Sequence, residues 1–460
     1  MAKSQIEEER ICVLNDKDVN EDGKYVLYWM QQSQRAEYNH ALEYAVEQAK
    51  DLDQGVVVCF GLLDDYPEAN LRHYYFLVEG LIDTEGALKK RDIKLVVKHN
   101  DPVDTALDLG KDASLIVCDK GYLRHLRKWR EKVADDAGVT VVQVESDVVV
   151  PVEVASDKRE YAARTIRKKL QEPMNDYLTD LSHRKPPKST INLNVKGMEL
   201  TSASAVCDKL KLDTSVEPVP YHFNGGTSEA KKVFRRFLDK HLFSYDDNRN
   251  QPQTDHVSHM SKYLHFGQIS PVWLVKTIQE KHSGKNVDSF VEELLVRREL
   301  AANFVYFTED YDSFSCLPDW AQETLEKHKD DERPHSYTRQ ELEDAETHDD
   351  YWNAAMKEMK ETGYMHNYMR MYWGKKILEW SNTPQYAYKT TLYLNNKYFL
   401  DGRDFNSFAN VAWVFGNHDR GWQERDIYGK VRSMMASGLE RKTEPDRYVE
   451  KVRRLSEKEK

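Results

Sequence analysis

Two tryptophans stand seven residues apart in a stretch with helical spacing, and this pattern is suited to electron transfer. Trp373 and Trp380 would share one helix face, separated by roughly 10.5 Å of helical rise. Two indoles at that separation can relay an electron in short hops. The same spacing is also typical of a packed apolar stripe, so packing is the alternative. Seven of the nine tryptophans lie after position 270, which concentrates these side chains in one half of the chain.

Two clusters of polar residues have the chemistry to bind an anion or a polar cofactor. Ser258 and Ser261, in the run VSHMS, supply hydroxyl and backbone donors, which suit an anion held in a tight turn. Asp401 and Arg403 flank Gly402 in the run LDGRD, which predicts a turn that presents polar groups inward. Both clusters have an ordinary alternative, because serine is common at helix N-caps and surface turns often carry a weak ion pair.

The elements that must position these residues differ between the two halves of the chain. Before residue 150, short apolar runs alternate with helical patterns, which predicts a parallel sheet covered on both faces. We therefore expect a doubly wound α/β domain over residues 1–150, although it lacks a GxGxxG dinucleotide turn. The predicted strands are 24–30, 55–63, 95–99, 114–119 and 139–145, with helices over 41–49 and 71–88.

The second half of the chain predicts helices almost throughout. Residues 151–225 are polar and mixed, and prolines interrupt them, so we expect a long connector there. From 226 to 460 the apolar residues recur at helical spacing, which predicts a larger all-α domain. The clearest helices are predicted over 230–241, 271–281, 289–307 and 363–380.

The composition is that of an ordinary globular protein and excludes several classes of function. Of the 460 residues, 40% are hydrophobic, and no apolar run reaches the roughly 18 residues that a membrane span needs. The start, MAKSQIEEER, has no secretory or transit pattern. Five cysteines without CxxC spacing argue against zinc and disulfides, so we expect a cytoplasmic protein without a metal site. The net charge of −11 argues against nucleic acid, but DNA binding needs only a local basic patch.

Seven runs spread over nearly the whole chain resemble the photolyase/cryptochrome family. The run at 261–270 is similar to the segment that cradles flavin in that family, and the last four runs resemble its class II cyclobutane pyrimidine dimer photolyases in particular. Any one run is weak evidence, but all of them occur in the family's order. They are 28–39 (YWMQQSQRAEYN), 158–169 (KREYAARTIRKK), 261–270 (SKYLHFGQIS), 370–373 (RMYW), 375–380 (KKILEW), 400–406 (LDGRDFN) and 418–422 (HDRGW).

The resemblance implies an enzyme that holds flavin adenine dinucleotide (FAD), reduced in its active form. Asn395 matches the residue facing flavin N5, where an amide can both donate and accept; without the resemblance, Asn395 and Asn396 predict a turn. Class II enzymes use tryptophans matching Trp352, Trp373 and Trp380 to reduce their flavin in light. The resemblance places the flavin contacts at Tyr245, Val257, Ser258, His259, Met260, Ser261, Arg370, Asp401 and Arg403.

The resemblance also implies a pocket for a pyrimidine dimer flipped out of duplex DNA, as enzymes acting on bases require. Glu293 matches the carboxyl that hydrogen-bonds the dimer, and burial would hold such a group neutral so that it can donate. Trp413 matches one of two tryptophans that grip the dimer. Positions matching residues near the lesion or the DNA are Arg249, Asn250, Met371, Trp422 and Arg432.

One departure from the family pattern lies in this pocket. The second gripping tryptophan belongs four residues after the glutamate, and Arg297 occupies that position. A guanidinium plane can stack on a base. Alternatively, Arg297 pairs with Glu293, since a glutamate four residues before an arginine is favourably oriented in a helix. We therefore expect an altered or relaxed lesion pocket.

Light-driven repair of dimers in UV-damaged duplex DNA is the function that the resemblance favours. The alternatives are a cryptochrome-like blue-light sensor, a photolyase for a different photoproduct, and a dark flavin enzyme, which would need a nicotinamide site that is not evident. The family's N-terminal domain can house an antenna chromophore, a deazaflavin or a folate, for which Arg35 and Glu37 are candidate contacts. We expect a monomer, as is usual in the family.

Overall fold

The computed structural model describes residues 4–458, and its first third folds around one six-stranded sheet. The strand order is β1-β6-β5-β2-β3-β4. Only β1 runs antiparallel to its neighbour, and all other pairs are parallel. The strands are β1 Ile11–Val13, β2 Tyr25–Trp29, β3 Val56–Gly61, β4 Lys94–Lys98, β5 Ala113–Asp119 and β6 Val141–Val144.

This sheet confirms the predicted doubly wound architecture. Every residue of β2, β3 and β5 is buried, as expected of parallel strands covered on both faces. The first parallel strand, β2, lies in the middle, and the order reverses between β2 and β5. Sheets of this kind bind ligands at the carboxyl ends of the strands beside such a reversal. The helices that cover the sheet are α1 His40–Asp51, α2 Leu71–Lys89, α3 Pro102–Gly110 and α4 Arg124–Asp136.

The rest of the chain is helical, which confirms the predicted all-α character of the second half. The stretch expected as a connector contains α5 Val152–Ala155, α6 Ala163–Gln171, α7 Met174–Tyr177 and α8 Ala203–Cys207. The helices beyond it are α9 Thr227–Lys240, α10 Tyr245–Asn248, α11 Ser261–His265, α12 Pro271–Lys281, α13 Lys285–Val291, α14 Arg298–Tyr306, α15 Asp319–Lys327, α16 Arg339–Glu343, α17 Asp350–Thr362, α18 Asn367–Trp380, α19 Pro384–Tyr398, α20 Phe405–Val414, α21 Ala436–Lys442 and α22 Pro445–Lys458. One π-helical segment, Glu292–Arg297, joins α13 to α14.

Local sequence chemistry sets the ends of the helices that carry the candidate site. The side chain of Thr383 caps α19, with Pro384 in its first turn. α17 ends at Thr362 and is followed by Gly363, whose φ of +68° is unfavourable for residues with a Cβ. The predicted helix 363–380 therefore began too early, and α18 begins at Asn367.

A buried polar contact joins the two halves of the molecule. Arg35 donates to Asp147 Oδ1 at 2.8 Å and to the carbonyl of Gly267 at 2.9 Å. Gly267 has a φ of +64°, and a Cβ there would lie 2.0 Å from the carbonyl oxygen of Gln32. Only glycine permits this close approach of the two backbones. The glycine of the run SKYLHFGQIS is therefore needed for packing of the helical half against the sheet domain.

No helix within residues 4–458 is long and apolar enough to cross a membrane. In the same part of the chain, no three His, Cys, Asp or Glu side chains are grouped so that they could hold a metal ion.

Candidate functional site

A buried ion pair forms the centre of the candidate flavin site. Arg370, on α18, donates to both carboxylate oxygens of Asp401 at 2.9 and 3.1 Å. Its guanidinium carbon lies 3.9 Å from the ring centroid of Phe399. Burial alone would raise the pKa of Asp401, but Arg370 and Ser261 hold this pKa below its ordinary value. The carboxylate is therefore ionised, and the pair presents fixed polar atoms.

The predicted serine segment lies beside this pair, in the loop that leads into α11. Ser261 is the first residue of α11, and its exposed side chain bonds to Asp401. Val257 and Ser258 are half-buried, and Met260 packs in the core. His259 has a φ of +56° and bonds to Asp255 through Nε2 at 2.8 Å. The structure therefore brings the serine and LDGRD runs together.

Lys262 is a functional candidate that the sequence analysis missed. It is 1% exposed, its Nζ donates to the carbonyl of His259 at 3.2 Å, and it lies 3.6 Å from the ring centroid of Phe223. Burial lowers its pKa to about 7, and none of the described carboxylates forms a direct ion pair with it. The sequence signal that could have identified it is a lysine beside the largely apolar residues of the run KYLHFG.

The donor set around this loop fits the pyrophosphate of a dinucleotide. Lys262 lacks a directly paired anion, and Nδ1 of His259 is buried without a hydrogen-bond partner among the described residues. Nε2 of His366, which caps α18, is likewise buried and unpartnered there. Buried polar atoms of this kind are costly unless a bound group satisfies them.

Asn395 is buried near the end of α19, so the alternative prediction of a turn at Asn395 and Asn396 was wrong. Its Nδ2 donates to Oδ1 of Asn396 at 2.9 Å. The guanidinium of Arg403 donates to the backbone carbonyl of Asn396 and bonds to His73, both at 2.8 Å, and its flavin contact stays a prediction. The structure does not pair Arg403 with Asp401.

The three predicted tryptophans form a connected series. Trp352, on α17, donates from Nε1 to the carbonyl of Trp373 at 3.0 Å. Its ring lies 5.6 Å from that of Trp380, centroid to centroid. Trp373 packs against Phe399 at 6.2 Å, which is the ring under Arg370. Trp352 therefore links the tryptophan nearest the ion pair to Trp380, an order that the sequence did not give.

Of the two alternatives for Arg297, pairing with Glu293 was wrong. Nε of Arg297 donates to Glu292 at 3.0 Å, and Arg167 also binds Glu292, at 2.7 Å. Glu293 instead accepts from Arg249 at 2.6 Å. The segment is π-helical, with backbone hydrogen bonds between residues five apart, so the i,i+4 rule for α-helices does not apply there.

Two cations and two indoles that the sequence analysis assigned to DNA or lesion binding, or that contact such residues, form a cluster around Arg432 and Trp413. Arg432 is held by Asp419 at 2.9 Å and lies 4.2 Å from the ring centroid of Trp422 and 5.7 Å from that of Trp413. Lys375, fully buried, lies 4.9 Å from the Trp413 ring. Trp413 is thus contacted by two cations, which fixes its indole.

The remaining predicted contact residues differ in burial. Tyr245 is buried against Phe237 and Phe290, and burial together with Glu293 raises its pKa to about 12. Asn250 is exposed just beyond α10, and Met371 is half-buried on α18.

A separate cavity lies at the carboxyl ends of the parallel strands. Arg35 and Glu37 do not line it: Arg35 joins the two halves, and Glu37 pairs with Lys231. In its wall, Tyr66 bonds to Nε2 of His125 at 2.8 Å. The aromatic and polar lining includes Gln31, Tyr66, Tyr74, Tyr122, Trp129 and Arg403.

Comparisons with known proteins find relatives over nearly the whole chain. The family model for DNA photolyase matches residues 26–188. A deoxyribodipyrimidine photo-lyase of Methanothermobacter thermautotrophicus is 47% identical over 451 residues, 98% of this chain and 99% of that protein. One of Potorous tridactylus is 35% identical, covering 96% of this chain and 83% of that protein. A solved class III photolyase of Agrobacterium tumefaciens has a TM-score of 0.71 at 19% identity, covering 94% of this chain and 86% of that one. At 19% identity, the similarity to the Agrobacterium tumefaciens structure shows only that the two chains share a fold.

Proposed function

The chain belongs to the DNA photolyase family, and from that premise we propose that it repairs cyclobutane pyrimidine dimers in DNA. The reaction is driven by light and uses bound, reduced FAD. UV-damaged duplex DNA is the substrate, and the protein acts as a monomer. The near full-length similarity to two deoxyribodipyrimidine photo-lyases supports this assignment over a light sensor.

One observation carries the proposal: a single helix joins the flavin site to the electron donors. α18 carries Arg370, which is paired with the buried Asp401, and also Trp373 and Trp380. Packing alone does not require a buried ion pair at one end of a series of indoles. A cofactor held by that pair would lie beside the first indole and could receive an electron from it.

The chain's own residues divide the work of repair. Bound reduced FAD supplies, on excitation, the electron that splits the dimer. Glu293 and Arg249 present a polar pair to the flipped bases, and Trp413 offers a flat apolar wall that excludes water. Arg432, oriented by Asp419, contacts the DNA backbone, and such contacts position a duplex without reading its sequence.

The test is recovery of thymine absorbance in DNA that bears thymine dimers. The purified protein, with its flavin reduced, is illuminated with blue light and compared with a dark sample. We expect light-dependent recovery, and Glu293→Ala should retain the flavin spectrum while repair falls at least tenfold. A bound, photoreducible flavin without recovery would favour the sensor or another photoproduct, and absence of flavin would overturn the proposal.

We further propose that the enzyme is of class II. The support is the set of class II-like runs around 370–380, 400–406 and 418–422, together with the contact series Trp373, Trp352, Trp380. Arg297 remains the one departure from that pattern.

An antenna chromophore is the occupant that we propose for the cavity at the strand ends. Planar heterocycles suit a wall of aromatic rings, and the cavity lies where doubly wound sheets bind ligands. In this scheme residues 1–150 form the antenna-type domain, 151–225 the connector and 226–460 the catalytic domain. Reconstitution with a deazaflavin or a folate, followed by energy transfer to the flavin, would identify the chromophore; Trp129→Ala should weaken its binding.

A further inference from the structure

Two neighbouring asparagines at the end of α19 belong to a hydrogen-bonded series that reaches into the sheet domain. Asn396 is fully buried. Its Oδ1 accepts from the backbone N–H of Arg403 and from Nδ2 of Asn395, both at 2.9 Å. Its Nδ2 donates to Glu68 Oε2 at 2.5 Å. Glu68 lies before α2, so the series connects the two halves of the molecule.

The chemistry of these partners permits only one orientation of each amide. A backbone N–H can only donate, and an ionised carboxylate can only accept. Asn396 must therefore turn its oxygen toward Arg403 and its nitrogen toward Glu68. The same oxygen faces Asn395, which must present its own NH2 to it. The side-chain carbonyl oxygen of Asn395 takes no part in this series, and none of the described residues donates a hydrogen bond to it.

From this series we infer that Glu68 and Asn396 are positioning residues that hold Asn395 with its carbonyl oxygen toward the flavin. The inference rests on the proposed role of Asn395 beside flavin N5. Reduced flavin carries a hydrogen on N5, so a fixed carbonyl acceptor stabilises the reduced cofactor. An amide that rotates freely could instead accept from N5–H of reduced flavin or donate to N5 of oxidised flavin, and would favour neither redox state. The series therefore favours the redox state that repair requires.

The position of Glu68 gives the sheet domain a part in this task. Its φ of +59° is rare for residues other than glycine, asparagine and aspartate, and the side chain reaches across to the helical half. Tyr66 and Ala69, on either side of it in the same loop, line the cavity at the strand ends. The loop that borders the proposed antenna cavity thus also orients the residue proposed to face the flavin.

Orientation and simple charge make different predictions for substitutions at Glu68. Glu68→Ala removes the acceptor of the Asn396 NH2 group and leaves only the Arg403 N–H to orient Asn396, so Asn396 holds Asn395 less firmly. Glu68→Gln removes the charge but retains an oxygen that accepts from Asn396. Asp65→Asn is a matched control, because Asp65 is an exposed acid of the same loop without a described bond to Asn396.

The test is the midpoint potential of bound flavin, measured spectroelectrochemically in the dark. We expect Glu68→Ala and Asn396→Ala to weaken binding of reduced relative to oxidised flavin about tenfold, which lowers a two-electron potential by about 30 mV. Glu68→Gln and Asp65→Asn should stay near wild type. Asn395→Ala should shift the potential by itself, and Glu68→Ala should add nothing in that background, because coupled residues are not additive.

Three results would overturn the inference, and they differ in what they say about the proposed function. An equal shift in Glu68→Gln and Glu68→Ala would make the effect one of charge. A shift in Asn395→Ala with none in the Glu68 and Asn396 variants would leave the role of Asn395 intact and remove the positioning pair. No shift in Asn395→Ala would remove its role beside N5, whereas failure of wild type to bind FAD would overturn the proposed function itself.

Discussion

Single residues with unusual surroundings set the chemistry of the candidate site. Lys262 is buried without a directly paired anion, and Arg370 is paired within the same site. The two cations are therefore not equivalent: Arg370 already has its counter-charge in Asp401, while Lys262 is available to an incoming anion. Binding of a pyrophosphate would supply the charge that Lys262 lacks.

This availability predicts how flavin binding depends on pH. Burial lowers the pKa of Lys262 to about 7, so below pH 7 the ammonium is charged before FAD arrives. Above pH 7, binding must first restore its proton, so the affinity for FAD should fall by up to tenfold per pH unit. Burial lowers the pKa of His259 from its ordinary value, so this histidine is neutral above pH 7 and does not contribute to the slope.

Titration of apoprotein with FAD between pH 6 and 9 checks this prediction. Lys262→Met should bind FAD more weakly at pH 6 and lose the slope. The exposed Lys285→Met serves as a control and should keep the wild-type profile. A wild-type affinity that is constant over this range would exclude Lys262 as a pyrophosphate contact.

The residue at position 297 gives a prediction about the lesion pocket. Arg297 is bound to Glu292 and its side chain is 52% exposed. It therefore does not replace the aromatic ring that a tryptophan at this position would stack on the dimer. Arg297→Trp should supply one, and stacking of a base on an aromatic ring contributes about 1–3 kcal/mol. We expect dimer-containing DNA to bind at least fivefold more tightly, measured by fluorescence anisotropy. Arg297→Ala is the control, because it removes the charge without adding an aromatic ring. Equal affinities of wild type, Arg297→Trp and Arg297→Ala for dimer-containing DNA would refute a role of position 297 in dimer binding.

At the scale of elements, the sequence predicted structure wherever local chemistry agreed with packing. The helix Pro271–Lys281 was predicted with its observed bounds, because Ser270 caps it and Pro271 starts it. Strand β1 was missed, since its three residues are mostly exposed and show no alternation. The Arg297 partner was mispredicted because a π-helical segment is not encoded in α-helical spacing. The direction of the Arg403 side chain was not predicted, because it depends on the backbone of one turn, in which Arg403 has a φ of +64°.

The packing of α17 against α18 predicts the path of photoreduction. Trp352 contacts both Trp373 and Trp380, whereas the latter two are two helical turns apart. Trp352→Phe should therefore slow light-driven reduction of bound flavin at least tenfold. Trp320→Phe, on α15, is a control outside the series. Photoreduction is followed by flavin absorbance with a thiol donor; an unchanged rate in Trp352→Phe would show that electrons take another path.

At the scale of the whole molecule, the two halves depend on buried polar contacts as well as apolar packing. Arg35 and Asp147 are both nearly inaccessible, and Arg298 donates to the carbonyl of Asp147 at 2.7 Å. Glu299 accepts from the backbone N–H of Val150 at 3.2 Å. These bonds join the segment that follows the sheet to α14, the helix that follows the π-helical segment. The position of Glu293 in that segment therefore depends on the contact between the two halves.

Breaking the buried pair should therefore uncouple the halves. Arg35→Ala leaves the Asp147 carboxylate buried without its partner, and such a loss costs about 3–5 kcal/mol. We expect a lower unfolding temperature and faster proteolysis between the sheet and helical halves, with lesion affinity falling as Glu293 loses its position. Replacing both partners, Arg35→Met with Asp147→Leu, removes the unpaired charge and should recover much of the stability. If the double variant is no more stable than Arg35→Ala, the contact acts through its hydrogen bonds to Gly267 rather than through charge pairing.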